Sequence, residues 1–221
     1  MSENAVAIVL SHAREGAALR EEFFQHHAAS VVEVARFMAV CLAQGGKILL
    51  CGNGGSAADA QHWAGELVNR FLMERPPLPA VALTTDTSIL TAIGNDYGYD
   101  QVFRKQVQAL GNKGDVLVAI STSGNSENVI QAIHAATEKG LLVVGITAGN
   151  GGQMARLCDA HLNVNHKSTP LAQEVHAAIG HLLCRLIDYF LFESVLELQP
   201  YLSSSPHSGG VDAEDVDNLD A

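Results

Sequence analysis

The sequence is short of positive charge. Its 221 residues carry 13 Lys and Arg against 24 Asp and Glu, a formal net charge of -11. That balance disfavours nucleic acid and anionic membranes as main partners. It leaves room for an anionic small molecule, because helix N-termini hold phosphate without basic side chains. Cysteine is scarce as well. Cys41, Cys51, Cys158 and Cys184 sit in apolar surroundings without metal-type spacing, which reads as buried free thiols in a reducing, cytosolic setting. No basic segment precedes the apolar patch in MSENAVAIVLSHAREG, and no unbroken apolar run reaches the roughly 20 residues that span a bilayer. A soluble cytoplasmic protein is expected. Proline is missing from residues 2–44, where Gly16 is the one internal glycine. Nothing there interrupts a helix.

What is present is apolar and periodic. At 48% apolar residues the chain is not a disordered protein, and its length supports one sizeable core. Val31, Val34, Ala35, Met38 and Leu42 form a helical stripe, so one or two long helices are expected up to Gly45-Gly46. The sequence then alternates. Strands are expected at 47–51, 79–84, 115–121, 141–147 and, weakly, 161–165. Helices are expected at 56–71, 99–110 and 125–139. Short apolar strands separated by helices predict an α/β three-layer sandwich, a five-stranded parallel sheet covered on both faces. A last long helix is expected from Thr169 to Leu198. Pro170 suits its first turn, and Pro200 stops it. Its apolar residues cover more than one face, as in a helix that packs on both its own sheet and a neighbouring subunit. A single domain over 1–200 with an N-terminal helical extension is expected, followed by a flexible acidic tail over 201–221.

Two Gly/Ser loops fall at the carboxyl ends of strands. Gly52-Asn53-Gly54-Gly55-Ser56 follows the first, and Ser121-Thr122-Ser123-Gly124-Asn125-Ser126 follows the third. Neither contains Lys or Arg. A dinucleotide fingerprint fails because Ala57 occupies its third glycine position, and the Walker pattern fails for want of GK[ST]. Backbone N–H groups and hydroxyls at two helix N-termini suit the phosphate of a small molecule. Ordinary turn and capping chemistry is the plainer reading, and Ser126-Glu127 and Asn125-Asn128 look like caps. Asp86 would have held a ribose hydroxyl in a dinucleotide enzyme, a weak reading without the third glycine.

His62 and Glu66 share one helix face. They are compatible with a metal pair, an acid/base pair or a plain surface interaction. Gln173 and His181, two turns apart on the last helix, are placed to meet them across a cleft. Glu174 and His176 read as surface or interface residues, and Trp63 as packing. His134, His161 and His166 show no constellation. Asn95-Asp96 lies in a turn-rich stretch where a side chain reaches a substrate opening.

At these residues the chain resembles the sugar isomerase (SIS) domain family, and within it the bacterial phosphoheptose isomerases. The stretches that carry the likeness are CGNGGSAADAQHWAGEL at 51–67, TAIGNDYGYDQVF at 91–103, GDVLVAISTSGNSENVIQA at 114–132 and AQEVHAAIGHLLCRLID at 172–188. The resemblance implies an SIS/flavodoxin-like fold. It implies isomerisation of D-sedoheptulose 7-phosphate to D-glycero-D-manno-heptose 7-phosphate through an enediol, toward lipopolysaccharide. It also implies a homotetramer with active sites between subunits. Substrate contacts would map onto Asn53, Gly54, Gly55, Ser56, Glu66, Asn95, Asp96, Ser121, Thr122, Ser123, Ser126 and Gln173. Glu66 and His181 match the catalytic pair. His62, Glu66, Gln173 and His181 match a zinc site, one ion per subunit.

Two other functions compete. A relative in the same family binds the DnaA replication initiator without catalysis. It shares the stretch around Asn69-Arg70-Phe71 and Glu74-Arg75-Pro76 but lacks the catalytic glutamate and second histidine, both kept here. A phosphosugar-sensing module would need an attached effector domain. Leu171 and Ala172 stand where the family has an arginine and a branched apolar residue, and Pro170 where some relatives have an aspartate. These departures bear on substrate grip.

Overall fold

The computed structural model describes residues 2–202. The acidic tail expected from residue 201 lies, beyond residue 202, outside the described residues. The chain opens with one helix, α1, Glu3–Ala43. At about 1.5 Å per residue it is roughly 60 Å long. It stops where the Cys41 carbonyl accepts from Gly46 N–H at 2.9 Å.

Strands and helices then alternate. They are β1 (Ile48–Gly52), α2 (Gly55–Val68), β2 (Ala80–Ala82), α3 (Thr87–Tyr97) and α4 (Arg104–Leu110), then β3 (Val116–Ser121), α5 (Glu127–Lys139), β4 (Leu142–Ala148), β5 (Ala160–Val164), α6 (Thr169–Asp188) and α7 (Gln199–Leu202). The five strands form one parallel sheet in the order β2-β1-β3-β4-β5. Alternate side chains on a strand face opposite ways, which divides the core in two. Ile48, Leu50, Val116, Val118 and Ile120 pack against α1, α2 and α6. Leu49, Cys51, Leu117, Ala119 and Val143 pack against α4 and α5. The expected three-layer sandwich and five-stranded parallel sheet are what the chain forms.

Several boundaries differ from expectation. The helix expected over 56–71 ends at Val68. The helix expected over 99–110 is a 3-10 turn, Tyr99–Gln101, followed by α4. The stretch around Asn95-Asp96, read as turn-rich, belongs to a helix, α3. Asp86 caps that helix by accepting from Ile89 N–H at 2.9 Å, and Leu90 and Ile93 anchor it on the second core. The last helix leaves α geometry at Asp188 rather than Leu198. A π turn (Tyr189–Glu193) and a 3-10 turn (Val195–Glu197) follow. The π turn keeps Phe190 buried and brings Glu193 to Arg185 in two hydrogen bonds, 2.7 and 3.0 Å.

The stretches Glu3–Ala43 and Thr169–Glu193 are long and apolar enough to cross a membrane, with mean hydropathy of 1.2 and 1.3 over an 18-residue span of each. In α6 that apolarity goes into the sheet: Leu171, Ala172, Val175, Ile179, Leu183 and Ile187 are all in the first core.

Candidate active site

β1 and β3 are neighbours, yet the chain leaves β1 toward β2 on one side and β3 toward β4 on the other. The crevice at their carboxyl ends is the switch point where parallel sheets bind ligands. Both Gly/Ser loops lie there. The first turns into α2 with no side-chain cap at its N-terminus, and the second turns into α5 the same way. The cap expected from Ser126 is absent. Its hydroxyl pairs instead with that of Ser121, at 2.9 Å, and Ser121 approaches Ser123 at 3.4 Å. The hydroxyls thus form one cluster, and the helix N-terminal amides keep their affinity for an anion. Thr122 stands half-buried in the same loop, with its carbonyl accepting from Ala148 N–H at 3.1 Å.

The two loops are tied together by an amide pair. Asn53 Nδ2 donates to Asn128 Oδ1 at 2.9 Å, and Asn128 Nδ2 returns a bond to Asn53 Oδ1 at 2.8 Å. Tyr99 adds its hydroxyl to Asn53 Oδ1 at 3.3 Å. Asn53, expected as a substrate contact, has its side-chain amide bonded within the protein. Asn128, buried at 4% exposure, was read as a cap and is a brace. Asn95 and Asp96 bond to each other on exposed α3, Nδ2 to Oδ1 at 2.8 Å.

The far end of the site is where α2 meets α6. The Nε2 atoms of His62 and His181 are 2.8 Å apart, and Glu66 Oε1 is 3.7 Å from His62 Nε2. The sequence separates His62 from His181 by 119 positions. A glycine permits the approach. Any Cβ at Gly180 would stand 1.9 Å from Trp63 Cε2, so the residues flanking the two histidines pack backbone against indole. Phe71, beyond the end of α2, stacks on His181 with centroids 5.8 Å apart. Gln173 lies instead against the first loop: a Cβ at Gly55 would be 2.5 Å from its Nε2. α6 therefore touches both ends of the site. Asp59, on α2 one turn before His62, has its carboxyl pushed up to about 6 by burial, with His62 opposing.

Two imidazoles, a carboxylate and an amide oxygen are suitable zinc donors. Zinc–nitrogen bonds of about 2.0–2.1 Å at a tetrahedral angle place two nitrogens roughly 3.3 Å apart. The observed 2.8 Å is a hydrogen-bond distance, so a metal would open the pair by about half an ångström. Among the described residues no three His, Cys, Asp or Glu side chains converge as a ligand group.

Of the other polar residues, His176 and Asp86 differ from the reading, whereas Glu174 and the thiols agree with it. His176, taken for a surface or interface group, is fully buried and its Nε2 meets the Thr147 carbonyl at 3.0 Å. His161 Nε2 meets Thr147 Oγ1 at 2.7 Å. Glu174 is exposed and bonds His12 at 2.6 Å. Asp86 serves as a helix cap rather than a ribose ligand. The thiols are free, and burial pushes Cys41, Cys158 and Cys184 up to about 12.

The SIS domain profile matches residues 11–148. The chain belongs to the SIS domain family. It is 67% identical over 202 residues to a phosphoheptose isomerase of Nitratidesulfovibrio vulgaris, covering 91% of this chain and 97% of that one. The structure of a phosphoheptose isomerase from Neisseria gonorrhoeae superposes with a TM-score of 0.79 at 49% identity, over 83% of this chain and 98% of that chain. One from Francisella tularensis gives 0.81 at 40% identity, over 85% and 99%. In this SIS chain Asn128, Tyr99 and Phe71 also lie at the candidate site. Their sequence signal was slight, an amide in a helix first turn and aromatic residues beside polar ones.

Proposed function

We propose that this protein is a phosphoheptose isomerase that converts D-sedoheptulose 7-phosphate to D-glycero-D-manno-heptose 7-phosphate. The observation that carries the reading is the contact of His62 with His181 across α2 and α6, with Glu66 Oε1 3.7 Å from His62, on two helices that both reach the first Gly/Ser loop. The likeness to named phosphoheptose isomerases supplies the sugar.

In this reading the loops, through Gly54, Gly55, Ser56, Ser121, Thr122, Ser123 and Ser126, hold the phosphate against main-chain amides and hydroxyls. Asn95, Asp96 and Gln173 face the chain of sugar hydroxyls. Binding energy from the remote phosphate then positions the reacting carbons. Glu66 takes the proton from C1 of the ketose and returns it to C2 on the same face, so no atom is gained or lost. His181 moves the proton between the two oxygens, giving to O2 and receiving from O1. Of the four expected zinc donors Gln173 lies apart, against Gly55; an ion held by His62, Glu66 and His181 would supply Lewis-acid polarisation of the carbonyl.

We read the working form as a cytoplasmic homotetramer with sites between subunits and no membrane partner. Two observations support sites completed by another copy of the chain. His62 and His181 are exposed, with Glu66 half-buried, on an open surface. Val6, Ile8, Val9 and Leu10 on α1 also expose apolar side chains, Ile8 at 71%.

The test is turnover of sedoheptulose 7-phosphate by the purified protein, followed by NMR. Glu66→Gln should lower kcat about 10²–10⁴-fold while retaining substrate binding. Absence of turnover with any C5–C7 ketose phosphate would remove the assignment. A stoichiometric complex with the replication initiator in its place would favour the non-catalytic function.

A further inference from the structure

The last turn of α2 is held by a cation that the chemistry above does not use. Arg75 lies in the loop after α2, and its side chain and that of Asp188 on α6 are each 1% exposed. Arg75 Nε donates to Asp188 Oδ1 at 2.8 Å. Nη2 donates to the main-chain carbonyl of Glu66 at 2.9 Å, and Nη1 to that of Leu67 at 2.8 Å. Nη1 also reaches the carbonyls of Asn69 and Pro76, at 3.4 and 3.2 Å.

Carbonyls in a last helical turn have no partner within the helix, and a cation there complements the negative end of the helix dipole. α2 carries no basic residue in its own last turn. Arg75 supplies that charge from outside and anchors it on a second helix. That helix is the one bearing His181. Asp188 follows His181 by seven residues, two turns, so both lie on the same side of α6. Glu66 and His181 are therefore joined through a buried fork: the Glu66 carbonyl, the guanidinium and the Asp188 carboxylate. One turn earlier on α2, Trp63 against Gly180 sets how close the helices come. The fork sets how the last turn of α2 is presented.

We propose that Arg75 is a positioning residue for the isomerase site, acting with Asp188 to fix the Glu66 carboxylate relative to the His181 imidazole. This rests on the isomerase reading above. A lysine would not replace it, because a point charge lacks the planar fork needed to meet two carbonyls and a carboxylate at once. The phosphate loops stand at the opposite end of α2, so the consequence falls on turnover and not on substrate grip.

Three proteins test this, with kcat, KM and melting temperature measured on sedoheptulose 7-phosphate. The parent is the reference. Arg75→Lys keeps the charge opposite Asp188 and loses the fork. Arg75→Met combined with Asp188→Leu removes both charges, so no uncompensated buried charge remains to unfold the protein. The expected result is cooperative melting with KM within about three-fold of the parent and kcat lowered about 30–100-fold, the scale of an ångström-sized misplacement. A folded double variant with kcat within two-fold of the parent overturns the proposal, because the pair would then serve stability alone. So does a loss that falls on KM with kcat held. An inactive parent sinks the isomerase reading and this inference with it, whereas an active parent beside active variants sinks the positioning role only.

Discussion

His176 shows how far one residue's role depends on its surroundings. It is one of ten histidines and neighbours the exposed Glu174, yet it is sealed beneath β4 with Nδ1 unpartnered. Burial lowers its pKa below 6.5, and the Thr147 carbonyl opposes that only in part. His161 is lowered by burial too. A histidine kept neutral in the fold binds fewer protons than in the unfolded chain once the pH drops below about 6.5. Its contribution to stability is therefore complete above that pH and is lost as pH falls toward the folded-state value. Asp59, raised to about 6, works oppositely between the ordinary carboxylate value and 6, so a variant isolates the histidine. The melting temperature should fall from pH 7.5 to pH 5, and His176→Gln, which can still donate to Thr147, should make that fall shallower. An unchanged slope in thermal melts at the two pH values would contradict this. The amide pair of Asn53 and Asn128 makes a similar point: residues 75 positions apart complete each other's hydrogen bonds, and neither context is visible alone.

At the scale of elements, the site is a matter of two helices approaching closely. α2 and α6 were each legible from their apolar periodicity and from Pro170. Their contact was not, because it depends on Gly180 lying under Trp63. Adding one methyl there should separate the helices. Gly180→Ala is expected to cost about 1–3 kcal/mol in urea unfolding, the usual range for overpacking, and to lower turnover as His62 and His181 part. Unaltered stability and activity would mean that the seam adjusts freely. The missed helix α3 has another cause. Gly94 and Asn95-Asp96 look like a turn, but Asp86 caps the segment and Leu90 and Ile93 dock it. Tertiary contact outweighed local preference there. It also decided the end of α6, where the π turn serves the burial of Phe190.

At the scale of the whole molecule, a cavity of about 630 Å³ lies between α1 and α6, lined by Gly16, Arg20, Phe24 and Glu174 rather than by the Gly/Ser loops. The proposed chemistry sits on open surface instead. Isomerisation through an enediol benefits from exclusion of water, and in the proposed assembly a neighbouring subunit would provide it. The first turns of α1 offer an apolar face for that assembly, with Ile8 71% and Val9 66% exposed. Ile8→Asp with Val9→Asp should shift the protein to smaller species in light scattering and reduce specific activity about tenfold or more, with far-ultraviolet dichroism unchanged. Retention of the parent's mass would assign that face another role.

The sequence by itself determined the three layers, the parallel sheet and the two loops at carboxyl ends of its strands, because hydrophobic period and glycine placement are local properties of the chain. It also marked His62, Glu66, Gln173 and His181 by residue type and helical spacing. Only the tertiary structure decided which of these meet. It set His62 against His181, sent Gln173 to Gly55, committed the Asn53 amide to Asn128 and buried His176. Each of those outcomes is a long-range contact, set by how closely helices pack on a common sheet and by which polar groups that packing leaves in need of partners.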